Sequence, residues 1–490
     1  MSAAPPRRDL LAARHAGVLL HPTSLPGHPG GGDLGHEAYR FVEFLAAAGF
    51  GVWQTLPLGP THADGSPYAC LSVHAGDPAL VSLDWLADHG LLDEAGRGLP
   101  KAPALAAAWS RFRDGAAAGL APAFADFRAR EAAWLDDFAL FLALHRHHGG
   151  RPWFRWPAPL RRREPAALAA FAAEHADAVE QVRFEQFVFF TQWRELRAYA
   201  RDHGVGLFGD LPLFVAHDSA EVWAHPEYFR LDARGQPAVV AGVPPDYFSA
   251  TGQRWGNPLY DWERMAADGF RWWHERLATQ LELFDLVRLD HFRGLEACWE
   301  IDAAEKTAVN GRWVKTPGRE LLRSLAAAFD PLPLVAEDLG IITPEVEALR
   351  DEFALPGMRV LQFAFDGDAA NPYLPHNHVP RSVVYTGTHD NDTTLGWYAA
   401  LGDARRERVL DYLGRPGEPM PWPLIRAALA SVAVLAVVPM QDLLELGSAA
   451  RMNTPGTTRG NWRWRFGWDQ VPPDLAPRLA RLNAIYGRAS

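Results

Sequence analysis

Short apolar runs recur along the chain, and each ends in polar residues or glycine before a segment with helical spacing. Parallel strands that are buried on both faces have this pattern, and eight strand–helix units are typical of one barrel. We therefore predict an α/β protein, a (β/α)8 TIM barrel, as a single domain over residues 1–490. The runs are residues 17–20, 52–57, 205–211, 283–290, 332–337, 359–365, 382–389 and 435–442.

The spacing between these runs is uneven and predicts insertions. The stretch between the second and third runs is far longer than one crossover helix. It includes residues 102–120 and 131–144, where Ala, Leu and charged residues recur at helical spacing. We expect a mainly helical insertion subdomain over residues 78–200. Residues 217–261 are rich in Gly, Pro, Tyr and Trp, which predicts a loop insertion over the carboxyl ends of the strands.

Composition and charge exclude several classes of function. The formal net charge is −11, which argues against a phosphate grip on nucleic acid. The longest apolar stretch, residues 427–440, is too short to span a bilayer, so we expect no membrane association. Two cysteines in 490 residues indicate a reducing compartment, and we expect a cytoplasmic protein.

The aromatic content favours a ligand that stacks on flat rings. The chain has 19 tryptophans, most of which we interpret as core residues. Four of them lie in polar, Gly-rich or Asn-rich contexts and are candidates for contact with sugar rings. They are Trp255, Trp397, Trp462 and Trp464.

Charged side chains follow several of the predicted strands. Barrel active sites form at the carboxyl ends of the strands, so these groups should converge on one rim. Arg288 stands two positions before Asp290, hence on the same strand face, and is expected to keep that carboxylate ionised. One Arg-x-Asp is usually an ion pair, but several acidic groups on one rim indicate catalysis or a metal. The predicted rim residues are Asp210, Arg288, Asp290, Glu337, Asp338, His389 and Asp390.

Three kinds of chemistry could use such a rim. Convergent carboxylates bind Mg²⁺ or Ca²⁺, but such a site gives no role to Arg288. Zinc prefers His or Cys, and we interpret the histidines at 145, 147 and 148 as an exposed helix C-terminus instead. Retaining glycosyl transfer needs an ionised nucleophile and a protonated acid/base about 5–5.5 Å apart. Asp290 and Glu337 fit these roles, and we expect neither a metal nor a cofactor.

The order of motifs resembles one family over nearly the whole chain. The chain is similar to the 4-α-glucanotransferases of glycoside hydrolase family 77, also called amylomaltases or disproportionating enzymes, which are related to the α-amylases. The matching motifs are residues 17–27, 53–60, 66–68, 209–212, 242–249, 255–258, 287–293, 336–340, 387–391 and 451–457.

The resemblance implies a role for each matching site residue. Asp290 would be the nucleophile, Glu337 the general acid/base and Asp390 the stabiliser of the transition state. Residues 242–257 would form a lid that helps to position an acceptor sugar. The implied substrate-binding residues are Tyr68, Asp210, Asp246, Trp255, Asn257, Arg288 and His389.

The resemblance also implies the substrates. Segments of maltooligosaccharides, or of α-1,4-glucans derived from starch or glycogen, would pass to the 4-hydroxyl of another glucan or of glucose. The chain lacks the Asn-His pair that the α-amylases have shortly after the residue that matches Asp210. This difference favours the amylomaltase branch and argues against a structural calcium. Three alternatives stay open: an α-1,4-glucan hydrolase with the same carboxylates, a carbohydrate-binding protein without catalysis, and a metal-dependent barrel enzyme.

Overall fold

The computed structural model describes residues 7–27, 31–245 and 249–489. In these residues the strands are β1 (His15–Leu19), β2 (Val52–Gln54), β3 (Gly206–Pro212), β4 (Val239–Val243), β5 (Gln253–Pro258), β6 (Leu286–Asp290), β7 (Ala297–Asp302), β8 (Gly311–Lys315), β9 (Leu334–Ala336), β10 (Gly357–Val360), β11 (Ser382–Tyr385) and β12 (Leu435–Pro439).

Helices connect and surround these strands. They are α1 (His36–Ala47), α2 (Leu83–Asp88), α3 (Glu94–Arg97), α4 (Lys101–Arg113), α5 (Ala121–His147), α6 (Ala158–Arg161), α7 (Pro165–Glu174), α8 (Ala176–Asp202), α9 (Ala220–Ala224), α10 (Trp262–Ala267), α11 (Arg271–Leu283), α12 (Gly318–Ala328), α13 (Pro344–Glu352), α14 (Thr394–Ala400), α15 (Asp403–Tyr412), α16 (Trp422–Ala430), α17 (Met440–Leu443) and α18 (Leu475–Ile485). Within the described ranges, none of these helices has both the length and the apolar character of a membrane span.

Eight parallel strands form the barrel. Their order is β10-β11-β12-β1-β2-β3-β6-β9, and every neighbouring pair in this sheet is parallel. The two ends of the sheet meet where the Ala336 amide, on β9, donates to the Pro356 carbonyl beside β10 at 2.8 Å. Each of the eight predicted runs overlaps one of these strands. The predicted (β/α)8 barrel is confirmed.

Six of the eight strands are shorter than the apolar runs that predicted them; β1 and β3 are not. β11 ends at Tyr385, whereas its run continues to residue 389, and the last run continues from β12 into α17. The extra residues lie beyond the barrel in the loops of the rim, where buried apolar and polar side chains alternate. An apolar run therefore includes the first turn after its strand.

Helices fill the long connection between β2 and β3. The segments with helical spacing fall on α4 and α5, which are separate because the chain turns at Gly115 with a φ of 98°. The two longest helices, α5 and α8, have 27 residues each and pack Phe127 against Phe187 and Phe190. The division into a barrel and insertions at 78–200 and 217–261 stays a prediction.

A second sheet was not predicted. Strands β4, β5, β7 and β8 form an antiparallel sheet in the order β5-β4-β7-β8. β5 and β8 are largely exposed and contain Gly, Arg and Trp, so they give no apolar run that a sequence pattern could detect. Part of this sheet lies in the stretch expected to be loop.

The barrel interior changes from apolar to polar toward the carboxyl ends of the strands. One buried cluster takes apolar side chains from all eight strands, including Val52, Phe208 and Leu286. Because side chains alternate along a strand, the residues two positions further on share the same inward face. These include Asp210 on β3 and Arg288 on β6, which are paired in register. The polar site is therefore built directly on the packed core.

We predict that Gly209→Ala destabilises the fold. Gly209 lies between Phe208 and Asp210 on β3, and a Cβ there would lie 2.2 Å from the buried ring of Phe284. Overpacking of this kind costs about 1–3 kcal/mol of unfolding free energy, which urea denaturation measures. Gly119→Ala is the control, because a Cβ at Gly119 meets no atom within 4 Å. Equal stability of the two variants would contradict the proposed packing.

Candidate active site

Arg288 joins two carboxylates at the carboxyl ends of β3 and β6. Its Nη1 donates to both oxygens of Asp210, at 2.8 and 2.7 Å, and its Nη2 donates to Asp290 Oδ1 at 2.8 Å. Arg288 and Asp210 are buried, whereas Asp290 is partly exposed. Burial lowers the pKa of Arg288, but the Asp210 and Asp290 carboxylates outweigh it and raise that pKa well above its ordinary value. The guanidinium therefore stays charged and fixes the position of Asp290.

Glu337 lies directly beside Asp290, one strand along the barrel. Leu289 and Ala336 are paired in register, and the Glu337 amide donates to the Leu289 carbonyl at 3.1 Å. Neighbouring strands are about 4.8 Å apart, so the two carboxylates project from adjacent positions. The Glu337 carboxylate accepts the backbone N–H of His291 at 2.7 Å and that of Leu339 at 2.9 Å.

The environment of Glu337 favours its protonated form. Burial raises the pKa of Glu337 to about 7, and the negative charge of Asp290 adds to this effect. Arg288 and the two backbone N–H groups act in the opposite direction but do not cancel the burial. At neutral pH a substantial fraction of Glu337 therefore carries a proton, next to an Asp290 that is bonded to a cation. This pair can act as general acid and nucleophile.

Asp390 approaches the site from the loop after β11. Its side chain is 48% exposed, and its Oδ1 accepts a hydrogen bond from Asn453 Nδ2 at 2.6 Å. His389 Nε2 lies 3.4 Å from the same oxygen. The backbone carbonyl of Asp390 accepts Arg451 Nη2 at 3.0 Å. Asn453 and Arg451 therefore fix the position of Asp390, and its carboxylate is partly exposed at the rim.

Tyr68 links the two halves of the site. Its hydroxyl donates to Asp210 Oδ2 at 2.7 Å, and its ring stacks on His389 with centroids 5.1 Å apart and an interplanar angle of 17°. A continuous series of contacts therefore runs from Asp390 through His389, Tyr68, Asp210 and Arg288 to Asp290, which is the neighbour of Glu337 on the next strand.

The other predicted substrate-binding residues have different surroundings. Trp255 is exposed, and its ring meets the ring of His291 edge-on at 4.8 Å. Asn257 Nδ2 donates to the Val215 carbonyl at 2.8 Å, which ties β5 to the loop after β3. Asp246 lies outside the described residues. Roles for these residues in substrate binding stay predictions.

Two of the three remaining candidate tryptophans lie at the site. The ring of Trp462 is 5.9 Å from Tyr68 and 6.0 Å from His389. Trp464 lines a cavity together with His389 and Arg451. Trp397 instead packs against Phe365, with ring centroids 6.0 Å apart.

Residues that the sequence analysis did not place in the site complete it. Asn453 and Arg451 hold Asp390 although they are more than 60 positions away from it, so no local spacing reveals the contact. In the sequence, the motif at residues 451–457 was the available indication that Arg451 and Asn453 belong to the site. His291 contributes through its backbone N–H and has a left-handed φ of 53°, which a sequence pattern does not show.

Asp338 belongs to the scaffold rather than to the reacting groups. Its carboxylate accepts hydrogen bonds from the Met358 amide at 2.6 Å and from Arg350 at 2.5 Å. These contacts anchor the end of β9 to β10 and thereby fix the position of Glu337. In the part of the chain that the structure describes, no three His, Cys, Asp or Glu residues are arranged to hold a metal ion.

The chain is similar to known proteins along nearly its whole length. A family model described as 4-alpha-glucanotransferase matches residues 20–469. A 4-alpha-glucanotransferase of Thermus thermophilus is 53% identical over 96% of this chain and 98% of its own length. One of Synechocystis is 49% identical over 98% and 99% of the two chains. The solved structure of an amylomaltase from Streptococcus agalactiae in complex with acarbose has a TM-score of 0.94 at 35% identity, covering 97% of this chain and 100% of that one.

We predict that Asp290→Asn lowers the pKa of Glu337. The Asp290 charge helps to raise that pKa to about 7, and the substitution removes the charge while Arg288 stays nearby. The infrared band of the protonated carboxyl, assigned by its loss in Glu337→Gln, should then disappear at lower pH. Asp403→Asn is the control, because Asp403 is fully exposed on α15 and should leave the titration unchanged. The same titration in Asp290→Asn and in the unsubstituted protein would refute the coupling of the two carboxyls.

Proposed function

Because the chain belongs to glycoside hydrolase family 77, the 4-alpha-glucanotransferases, we propose a residue-level mechanism for the glucan transfer that this family performs. Family membership decides between the alternatives of the sequence analysis in favour of a transferase, against a hydrolase or a binding protein without catalysis. The observation that carries the mechanism is the pairing of Asp290, bonded to Arg288, with the partly protonated Glu337.

In the first step Asp290 acts as nucleophile. One of its carboxylate oxygens attacks the anomeric carbon of an α-1,4-linked glucose unit, while Glu337 gives its proton to the glycosidic oxygen. The bond between that carbon and the leaving oxygen breaks. The reducing-end fragment departs with a new 4-hydroxyl, and the remaining glucan is bound to Asp290 as an ester.

In the second step the roles of Glu337 reverse. Now ionised, it takes the proton from the 4-hydroxyl of an acceptor glucan or of glucose. The acceptor oxygen attacks the anomeric carbon and displaces Asp290, so the original α configuration returns after two inversions. Glu337 is protonated again, and the site is ready for the next transfer.

The neighbouring residues support both steps. Asp390 would bind sugar hydroxyls, and these hydrogen bonds strengthen as the reacting ring gains positive charge in the transition state. Tyr68 and Asp210 would form the floor of the subsite for the reacting glucose unit. Arg288 holds Asp290 in the position for attack, and His389 supports both Asp390 and Tyr68.

The proposed substrates are maltooligosaccharides and α-1,4-glucans that derive from starch or glycogen, with glucose as the smallest acceptor. The family acts on α-1,4-glucans, and the similar amylomaltase was solved with the sugar analogue acarbose. The mechanism uses carboxylates alone, so we propose no metal or cofactor. Both cysteines are free thiols, which is consistent with the reducing cytoplasm that we propose as the location.

We predict that the protein disproportionates maltotriose without added metal. Each transfer breaks one α-1,4 bond and makes another, so the number of reducing ends should stay constant while glucose and longer maltodextrins form. Chromatography of the products and a reducing-end assay measure both quantities. A steady rise in reducing ends at the rate of glucose release would show hydrolysis and exclude the transfer mechanism.

We predict that Asp290→Asn abolishes turnover and leaves the fold intact. An amide cannot form the covalent intermediate, so kcat should fall roughly 10³-fold or more. Arg288 keeps its bonds to Asp210, so circular dichroism and the denaturation midpoint should change little. Asp403→Asn is the activity control, because its carboxylate is fully exposed. A variant at position 290 with a substantial part of the original kcat would disprove the nucleophile assignment.

A further inference from the structure

We propose that Trp313 is a second stacking surface for the acceptor glucan, further from the reacting bond than Trp255. The proposal rests on the transfer mechanism above and adds a binding position that selects acceptors by length.

Trp255 and Trp313 are the two most exposed of the 19 tryptophans, with exposed fractions of 39% and 38%. The others are buried or half-buried. Both exposed rings belong to the antiparallel sheet, Trp255 on β5 and Trp313 on β8.

Both rings also contact the turn that follows the proposed nucleophile. The ring of Trp255 lies 4.8 Å from that of His291, and the ring of Trp313 lies 3.6 Å from the guanidinium carbon of Arg293. His291 and Arg293 come one and three positions after Asp290. The two indoles therefore contact the same short segment of the rim, Trp255 at its first residue and Trp313 at its third.

This segment is on the side of the cleft where the acceptor enters. Glu337 protonates the leaving oxygen and later activates the acceptor, so the acceptor side is the side of Glu337 and the loop that follows it. His291 donates its backbone N–H to Glu337, and Arg293 Nη1 donates to the carbonyl of Ile341 in that loop. Ile341 is itself 50% exposed and adds an apolar surface.

The surroundings of Trp313 hold its ring in place. The buried guanidinium of Arg293 covers one face, and the ring of Trp299 packs against it at 5.2 Å with an interplanar angle of 66°. A ring fixed in this way loses little conformational freedom when a ligand binds, which favours binding. The exposed part of the indole is then a preorganised apolar surface, as in other sites that stack on flat ligands.

An α-1,4-glucan presents one apolar ring face after another along its length. A glucose acceptor can reach only the position at Trp255, next to His291. A longer acceptor extends outward along the rim and gains a second contact at Trp313. The geometry therefore gives Trp313 a role in acceptor length and none in the bond-forming step.

The test is a competition between two acceptors in one reaction. The donor is maltotriosyl fluoride, whose small leaving group leaves the acceptor side open. Isotopically labelled glucose and maltotetraose are supplied together, and mass spectrometry counts the extended labelled products. In Trp313→Ala the preference for maltotetraose over glucose should fall about five- to tenfold, the loss expected for one aromatic stacking contact. Because the result is a product ratio, it does not depend on how much of the variant is folded.

Two further variants make the result specific to the ring. Trp313→Phe keeps an aromatic surface and should restore most of the preference. Val309→Ala is the matched control, since Val309 is 49% exposed in the loop between β7 and β8 and should leave the preference unchanged.

An unchanged product ratio in Trp313→Ala would overturn the proposal. If the extension of both acceptors fell equally, the ratio would also be unchanged, which would mean that Trp313 only supports Arg293 and the turn. Failure of the transfer mechanism gives a different result. In that case the unsubstituted protein and the position-313 variants alike would release fluoride without extending either acceptor.

Discussion

The active site depends on one guanidinium shared by two carboxylates. A buried charge costs free energy unless it is paired and hydrogen-bonded, and Asp210 and Asp290 do both for Arg288. The same bonds join β3 to β6 and determine where the Asp290 oxygens point. Removal of Arg288 would leave two carboxylates without their shared cation, so the position of the proposed nucleophile depends on an ion pair that also lies in the barrel core.

This arrangement also accounts for the opposite roles that we propose for two neighbouring carboxyl groups. Asp290 is bonded to a cation and is partly exposed, whereas the hydrogen bonds to the Glu337 carboxylate come from backbone N–H groups. Burial and the adjacent negative charge then raise the pKa of Glu337 to about 7. The difference arises because Glu337 lies one strand further around the barrel than Asp290. Arg288 is paired in register with Asp210 on β3 and with the apolar Val335 on β9.

Much of the barrel, and the charged groups at its rim, could be predicted because these features leave local signals. A parallel strand buried on both faces is an apolar run, and period two places Arg288 and Asp290 on one face. The contacts of Asp390 with Asn453 and Arg451 depend instead on how distant loops pack, which spacing does not encode. The antiparallel sheet was missed because β5 and β8 are exposed and bury no continuous face. Asp338 lies at the predicted rim, but its position in the sequence alone did not show that its carboxylate anchors neighbouring segments.

A transferase must also deliver its intermediate to a sugar in the presence of water. The turn after Asp290 connects this selection to the chemistry, because His291 donates its N–H to Glu337 and packs its ring against Trp255. Burial lowers the pKa of His291 to about 4, so this ring is neutral and forms an apolar contact at neutral pH. In the proposed mechanism, a sugar that stacks on Trp255 would lie beside Glu337, the proposed base, and would displace water from the same place. In the mechanism that we propose, acceptor binding and base catalysis share the turn at His291, so the choice of sugar over water would follow from the geometry of the site.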